Sequence, residues 1–247
     1  MASQEARLAN ALLLQNQENR LLANLAAETL ALLKPALKEV SAPQGTVFLE
    51  PGEPIEQVYF PMTGMISLLV LTKDGDMVET STVGCEGAVG LHRGWGERQS
   101  FTRATVQVAG RFSVIAGKPF EEISIASPGI REMIALYTEV LWAEAQQLAA
   151  CNAVHDASAR LCRWLLQTAD RIKSDQLPLT QEFLSQMLGV RRTTVTLLAQ
   201  ELQKRGAIQY SRGRLSILKR KTLEAGACEC YHVIQQDKLP LRLGVGL

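Results

Sequence analysis

Apolar residues change rhythm along this chain, and each rhythm predicts a different element. The first stretch carries Leu21, Leu22, Leu25, Leu30, Leu32 and Leu33 until Pro35 interrupts, which predicts one amphipathic helix. Short apolar runs follow at 46–49, 57–60, 65–71, 77–83, 104–108 and 112–115. Pro51-Gly52, Thr63-Gly64, Asp74-Gly75 and Ala109-Gly110 separate them as turn signals. Many short strands at close intervals predict an antiparallel barrel or roll. The spacing then becomes helical again, with Ile130, Ile134, Tyr137, Leu141, Ala145, Leu148 and Cys151 or Asn152 recurring at three- and four-residue steps after Ser127-Pro128. This is one long helix of roughly three heptads. Its seam could pack against a second copy of the chain or cover the strands of its own. A hinge at 154–156 and a further helix over 157–172 come next.

The segment 180–203 is the most informative. Leu184 and Leu188 lie four apart on a first helix, and Val195 and Leu198 face them from a second. Ser185 is small enough for close approach, Gly189 permits a left-handed turn, and Val190 tucks beneath it. Thr180 is a good N-cap after the extended Leu177-Pro178-Leu179, whereas Arg191 stands where the second helix would take a Ser or Asp cap. These positions specify a helix-turn-helix, the layout that lays one helix in the major groove of DNA. The candidate contacts on its two helices are Thr180, Gln181, Arg191, Arg192, Thr193, Thr194, Thr196 and Lys204. Arginine can donate twice to a guanine edge, and threonine can bond a base or touch a thymine methyl. After Gly206, residues 207–210 and 215–218 read as strands around Ser211-Arg212-Gly213-Arg214. A hairpin in that position is a wing, with Arg212 and Arg214 suited to phosphate.

Charge changes the picture next. The whole chain of 247 residues carries only +1, a poor sign for nucleic acid. Residues 157–221, however, hold thirteen Lys/Arg against four Asp/Glu, a net +9, and the remainder holds thirteen against twenty-one, a net −8. A basic module beside an acidic one is the footprint of a DNA-binding domain joined to a domain with another task. A hydrophobic content of 47% supports two packed domains, and no apolar run reaches the ~18–20 residues of a membrane span. Five scattered cysteines and a first segment without a cleavage site point to reduced thiols in a cytoplasmic protein.

Chemistry outside the helix-turn-helix is sparse. No phosphate loop, nucleophile elbow or His-Glu-x-x-His motif is present, which argues against an enzyme, and Glu121-Glu122 reads as a solvated pair. Cys228-Glu229-Cys230, followed by Tyr231-His232, offers too few ligands for structural zinc unless Cys85, Cys151 or Cys162 folds in. Half-buried thiols on a C-terminal helix are the simpler reading, and His92 and His155 read as surface or hinge residues.

The order helix, β-roll, long helix and winged helix-turn-helix over about residues 20–222 resembles the Crp/Fnr family of bacterial regulators. The resemblance implies an α+β chain: a cyclic-nucleotide-binding-like β-roll (jelly roll) over 1–127, a dimerisation helix and hinge over 128–155, a winged helix-turn-helix over 156–222 and a tail over 223–247. It implies a homodimer on double-stranded DNA, with Ile130, Ile134, Tyr137, Leu141, Ala145 and Leu148 as the seam, and contact with RNA polymerase. The family's nucleotide cassette is altered here. Ala88 stands where a ribose-binding Glu is expected and Thr102 where a phosphate-binding Arg is expected, with Glu86 and Arg103 displaced nearby. Loss of both charged contacts makes cyclic AMP a poor ligand. The pocket candidates become Glu86, Gly87, Ala88, Val89, Thr102 and Arg103, for an unidentified effector or none, with no cofactor or metal expected. The competing expectation is a small-molecule signalling module without gene-regulatory output.

Overall fold

The computed structural model describes residues 19–75, 77–211 and 213–237. The single opening helix expected from the leucines is broken in two, α1 (Arg20–Ala23) and α2 (Ala27–Leu33). Leu21, Leu22 and Leu33 reach the core while Leu32 stays exposed, so no continuous stripe unites the segment.

Seven strands follow: β1 (Lys38–Ala42), β2 (Val47–Leu49), β3 (Gln57–Pro61), β4 (Met65–Leu71), β5 (Met77–Val83), β6 (Arg103–Val108) and β7 (Gly110–Ala116). They form two antiparallel sheets in the orders β1-β7-β3 and β2-β6-β4-β5. The roll closes on Phe60, Ile66, Val106, Phe112 and Ile115, all fully buried. Alternation along β4 does two tasks. Ile66 and Leu68 pack into the roll, while Ser67 and Leu69 face the second half of the chain. β1 was absent from the sequence reading because Lys38, Glu39, Val40 and Ser41 are all exposed, leaving no apolar alternation to detect.

Two helices cover the roll, α3 (Gly117–Ala126) and α4 (Pro128–Val154). Phe120 anchors α3, and Glu121, expected to be solvated, pairs with Arg93. The Ser127 hydroxyl caps α4 at the Ile130 amide, and Pro128 occupies the first turn, where its missing N–H costs nothing. The expected dimer seam is corrected here. Ile130, Ile134 and Tyr137 are buried in the roll of their own chain, Leu141 packs partly against it, and Leu148 packs on Cys228, Cys230 and Ile234. The sheet's inner face needed a cover, and the apolar stripe of α4 supplies it.

Helix α4 stops at His155, whose backbone is extended, and Asp156 caps α5 (Ala157–Ile172) by accepting from the Ala159 amide at 2.8 Å. Then come β8 (Gln176–Leu177), α6 (Gln181–Leu188), α7 (Arg192–Lys204), the hairpin β9 (Ile208–Ser211) and β10 (Arg214–Ile217), α8 (Arg220–Gly226) and α9 (Cys230–Asp237). β10 lies between β8 and β9. The second core contains Leu165, Leu184, Val195 and Leu202, and also Leu223 and Tyr231 from beyond residue 222. The segment expected to be a tail is therefore part of the winged domain. Its anchor is a polar cluster in which Arg220 reaches Asp170 and the Tyr231 hydroxyl, both at 2.6 Å. Among the described residues no helix is long and apolar enough to cross a membrane.

Candidate nucleic-acid interface

The turn between α6 and α7 forms for the reasons its residues suggest. The Thr180 hydroxyl accepts from the Phe183 amide at 3.1 Å, opening α6. Gly189 closes it at φ 60°, a left-handed conformation that residues with a Cβ rarely adopt. Leu184, Leu188, Val195 and Ala199 are buried between the helices. The opposite face of α7 is open: Arg191, Arg192, Thr193 and Lys204 are exposed, with Thr194 partly covered. Leu197, 66% exposed, and Gln200 complete the stripe. Neither is among the candidates above, since an apolar Leu197 reads in sequence like a core position, although 193, 197, 200 and 204 share one face at helical spacing.

Two candidates have other partners. The Thr196 hydroxyl lies 2.9 Å from Gln181 Oε1 and 3.0 Å from the Arg192 carbonyl. These two residues staple α6 to α7 rather than pointing outward. In the wing, Arg214 is exposed, whereas Arg212 lies outside the described residues. The Tyr210 hydroxyl donates to the Leu179 carbonyl at 2.9 Å, fixing the hairpin against the approach to α6.

The reading head is docked on the roll through a buried polar seam. Glu79 on β5 accepts from the Trp164 indole N–H at 2.7 Å and from the Ser67 hydroxyl at 2.7 Å. Burial pushes its carboxyl up to about 7, against those two hydrogen bonds and the charges of Arg163 and Arg171. Arg171 on α5 donates to Glu86 and to Glu144, each at 2.9 Å, with all three side chains nearly sealed from water. Burial alone would lower the Arg171 pKa, but the two carboxylates raise it, so it stays charged. Burial raises the Glu144 pKa, and Arg171 opposes that rise. Arg160 adds a bridge, donating to Asn152 at 2.8 Å and to the Leu188 carbonyl at 3.1 Å.

A cavity of about 360 Å³ lies between the roll and α4. Ala88, Val89 and Thr102 line it with Tyr137, Leu141 and Trp142. Glu86, Gly87 and Arg103 do not. Glu86 turns to Arg171, and Arg103 pairs with Glu50 at 2.8 Å. Gly87 lies against the Tyr137 hydroxyl, with which any Cβ would collide. His92, expected at the surface or a hinge, is a cavity wall beside Phe101, and burial lowers its pKa toward the neutral form. None of the lining side chains is Asp, Glu, Lys or Arg.

A helix-turn-helix followed by a hairpin wing, with an open cationic face, has the geometry of a DNA-binding domain. Residues 159–225 match the Crp-like helix-turn-helix domain. No curated protein matches the chain. Among solved structures, a putative transcriptional regulator of the Crp/Fnr family from Eubacterium rectale is similar at 17% identity and TM-score 0.66, over 83% of this chain and 95% of that one. FixK2 from Bradyrhizobium japonicum is similar at 17% identity and TM-score 0.66, over 78% and 98%. A Crp/Fnr-family transcriptional regulator from Thermus thermophilus is similar at 23% identity and TM-score 0.65, over 77% and 98%. Residues 159–225 thus carry a Crp-like helix-turn-helix domain, and the chain shares the fold of those structures.

Proposed function

We propose that the chain binds a two-fold-related operator as a homodimer, each copy placing α7 in the major groove and its wing on the flanking phosphates. The observation that carries this reading is the exposed face of Arg191, Arg192, Thr193 and Lys204, held by a helix-turn-helix whose opposite face is fully packed. Because the inward stripe of α4 is consumed by its own roll, the second copy takes the outward one. Ala135, Glu139, Trp142, Gln146 and Ala149 share that exposed face, and Trp142 is 68% exposed. One large exposed aromatic flanked by Glu139 and Gln146, with Ala135 and Ala149 beyond them, suits a helix pair anchored on Trp142. Contact with RNA polymerase is part of the same proposal, supported by the family resemblance alone.

The cavity between roll and α4 takes an uncharged, largely apolar effector. A cyclic phosphate would bring a negative charge into a site without a cation, a desolvation cost nothing there offsets. Coupling is short. Ala88 and Val89 follow Glu86, and Tyr137 lies two turns before Glu144, so a ligand that displaces this wall pulls on the Arg171 bridge. Selection of bound sequences from a random DNA pool tests the reading. It should return two inverted half-sites about 10 base pairs apart, centre to centre. Recovery of no enriched sequence by a folded protein overturns it.

A further inference from the structure

The end of α4 and the segment leading into α9 bring together Cys151, His155, Cys228 and Cys230, with one donor atom from each lying within 4.8 Å of every other. From this geometry we propose that the four residues form a Cys₃His site for a divalent zinc ion, which clamps the C-terminal segment to the hinge between the two domains.

The distances suit a single tetrahedral ion. Sulfur ligands about 2.3 Å from zinc stand roughly 3.8 Å apart at the corners of a tetrahedron. Cys151 Sγ and Cys228 Sγ are 3.6 Å apart, and Cys230 Sγ is 3.7 Å from His155 Nδ1. Cys151 and His155 are one helical turn apart at the end of α4, and Cys228 and Cys230 flank Glu229, so both pairs present their donors from short, fixed pieces of chain.

The surroundings are those a bound metal uses. His155 presents Nδ1 to the cluster and holds Glu229 Oε1 at 3.1 Å with Nε2. A carboxylate on the far ring nitrogen fixes the tautomer and strengthens the ligating one. Gln147 donates from Nε2 to Cys230 Sγ at 3.0 Å, a bond that suits a thiolate acceptor. Three thiolates around a dication leave a net charge of −1, and Arg163, itself buried, acts electrostatically on both Cys151 and Cys228. The three thiols are buried while Glu229 is exposed, so an ion can enter past the His155 edge. The Arg220–Asp170–Tyr231 cluster anchors this segment independently of any metal, so the donors are held before an ion arrives.

The test uses the full chain, purified under reducing conditions, stripped by a chelator and titrated with Co²⁺. It should bind about one equivalent with the intense visible bands of tetrahedral thiolate-bound cobalt, and Zn²⁺ should displace it. Cys151→Ser, Cys228→Ser and Cys230→Ser should each abolish or shift those bands, whereas Cys85→Ser and Cys162→Ser should leave them unchanged. Glu229→Gln should weaken binding by about 10–100-fold with the spectrum retained. A weak octahedral spectrum, or tetrahedral bands that survive Cys230→Ser, overturns the site. So does a Cys151–Cys228 disulfide in the reduced preparation, which would make the pair a redox element. If the serine variants do not fold, alkylation of the wild-type chain decides. Zinc should protect Cys151, Cys228 and Cys230 together, and equal labelling with and without zinc refutes the proposal.

Discussion

Glu79 makes domain docking depend on pH, in the opposite sense from an ordinary surface carboxylate. Its carboxyl is pushed from 4.5 to about 7 by burial between β5 and α5. At 1.36 kcal/mol per unit, this raises the docked state by about 3 kcal/mol once the group is ionised. The docked form holds the proton more tightly than the unfolded chain does. The stability contributed by the protonated form is therefore complete below 4.5 and is lost as pH rises through about 7. Glu79→Gln keeps an acceptor for Trp164 and supplies a donor toward Ser67, so it mimics the acid form at every pH. Urea unfolding followed by tryptophan fluorescence at about pH 5 and about pH 8 measures both proteins. Other titrating groups contribute equally to each, so the informative quantity is the difference between them. The variant should exceed the wild type by less than about 1 kcal/mol at the lower pH and by up to about 3 kcal/mol at the higher. A variant less stable than the wild type at about pH 8 would refute the reasoning, because it would show Glu79 docked as a well-solvated anion.

Other outcomes follow from the same contacts. Arg171→Ala leaves Glu86 and Glu144 facing each other without their cation, so the interface should lose about 3–5 kcal/mol, or open to avoid that loss. Amide exchange along residues 181–188 and 157–172 would then rise. Arg192→Ala should relax preference at one base per half-site by about 1–3 kcal/mol, read by competition with mismatched operators; an equal loss on all sequences would mean phosphate contact only. Arg214→Ala should weaken all sites alike and reduce the salt slope by about 1. Gly87→Ala forces Tyr137 out of its seat and should cost about 1–3 kcal/mol in thermal stability, while Tyr137→Phe in the same background restores part of it.

The helix-turn-helix was legible because its determinants are local: a cap at Thr180, a left-handed turn at Gly189 and apolar pairs one helical turn apart. The strands of the roll are legible as short apolar runs set off by turn residues, and β1 escapes because it buries almost nothing. The fate of the α4 seam could not be read, since Ile134 and Tyr137 would look the same facing a roll or a twin. Long-range polar pairs leave even less trace. Trp164 and Glu79 are 85 positions apart, and Cys151 and Cys228 are 77, so neither sequence neighbourhood hints at the other. The altered cassette showed which charges had gone, but only the fold showed that Glu86 had been re-employed by Arg171.

The two extended residues between α4 and α5, His155 and Asp156, have a mechanical consequence. With a helix on either side, articulation between them passes through the φ and ψ of His155 and Asp156. The 16-residue α5 is about 24 Å long, so a ten-degree rotation there displaces its far end by about 4 Å. That is close to the rise of about 3.4 Å per base pair. A swing too small to disturb either core is thus enough to put two reading heads one base pair out of phase with their half-sites, and operator spacing becomes a ruler for the angle of a two-residue joint.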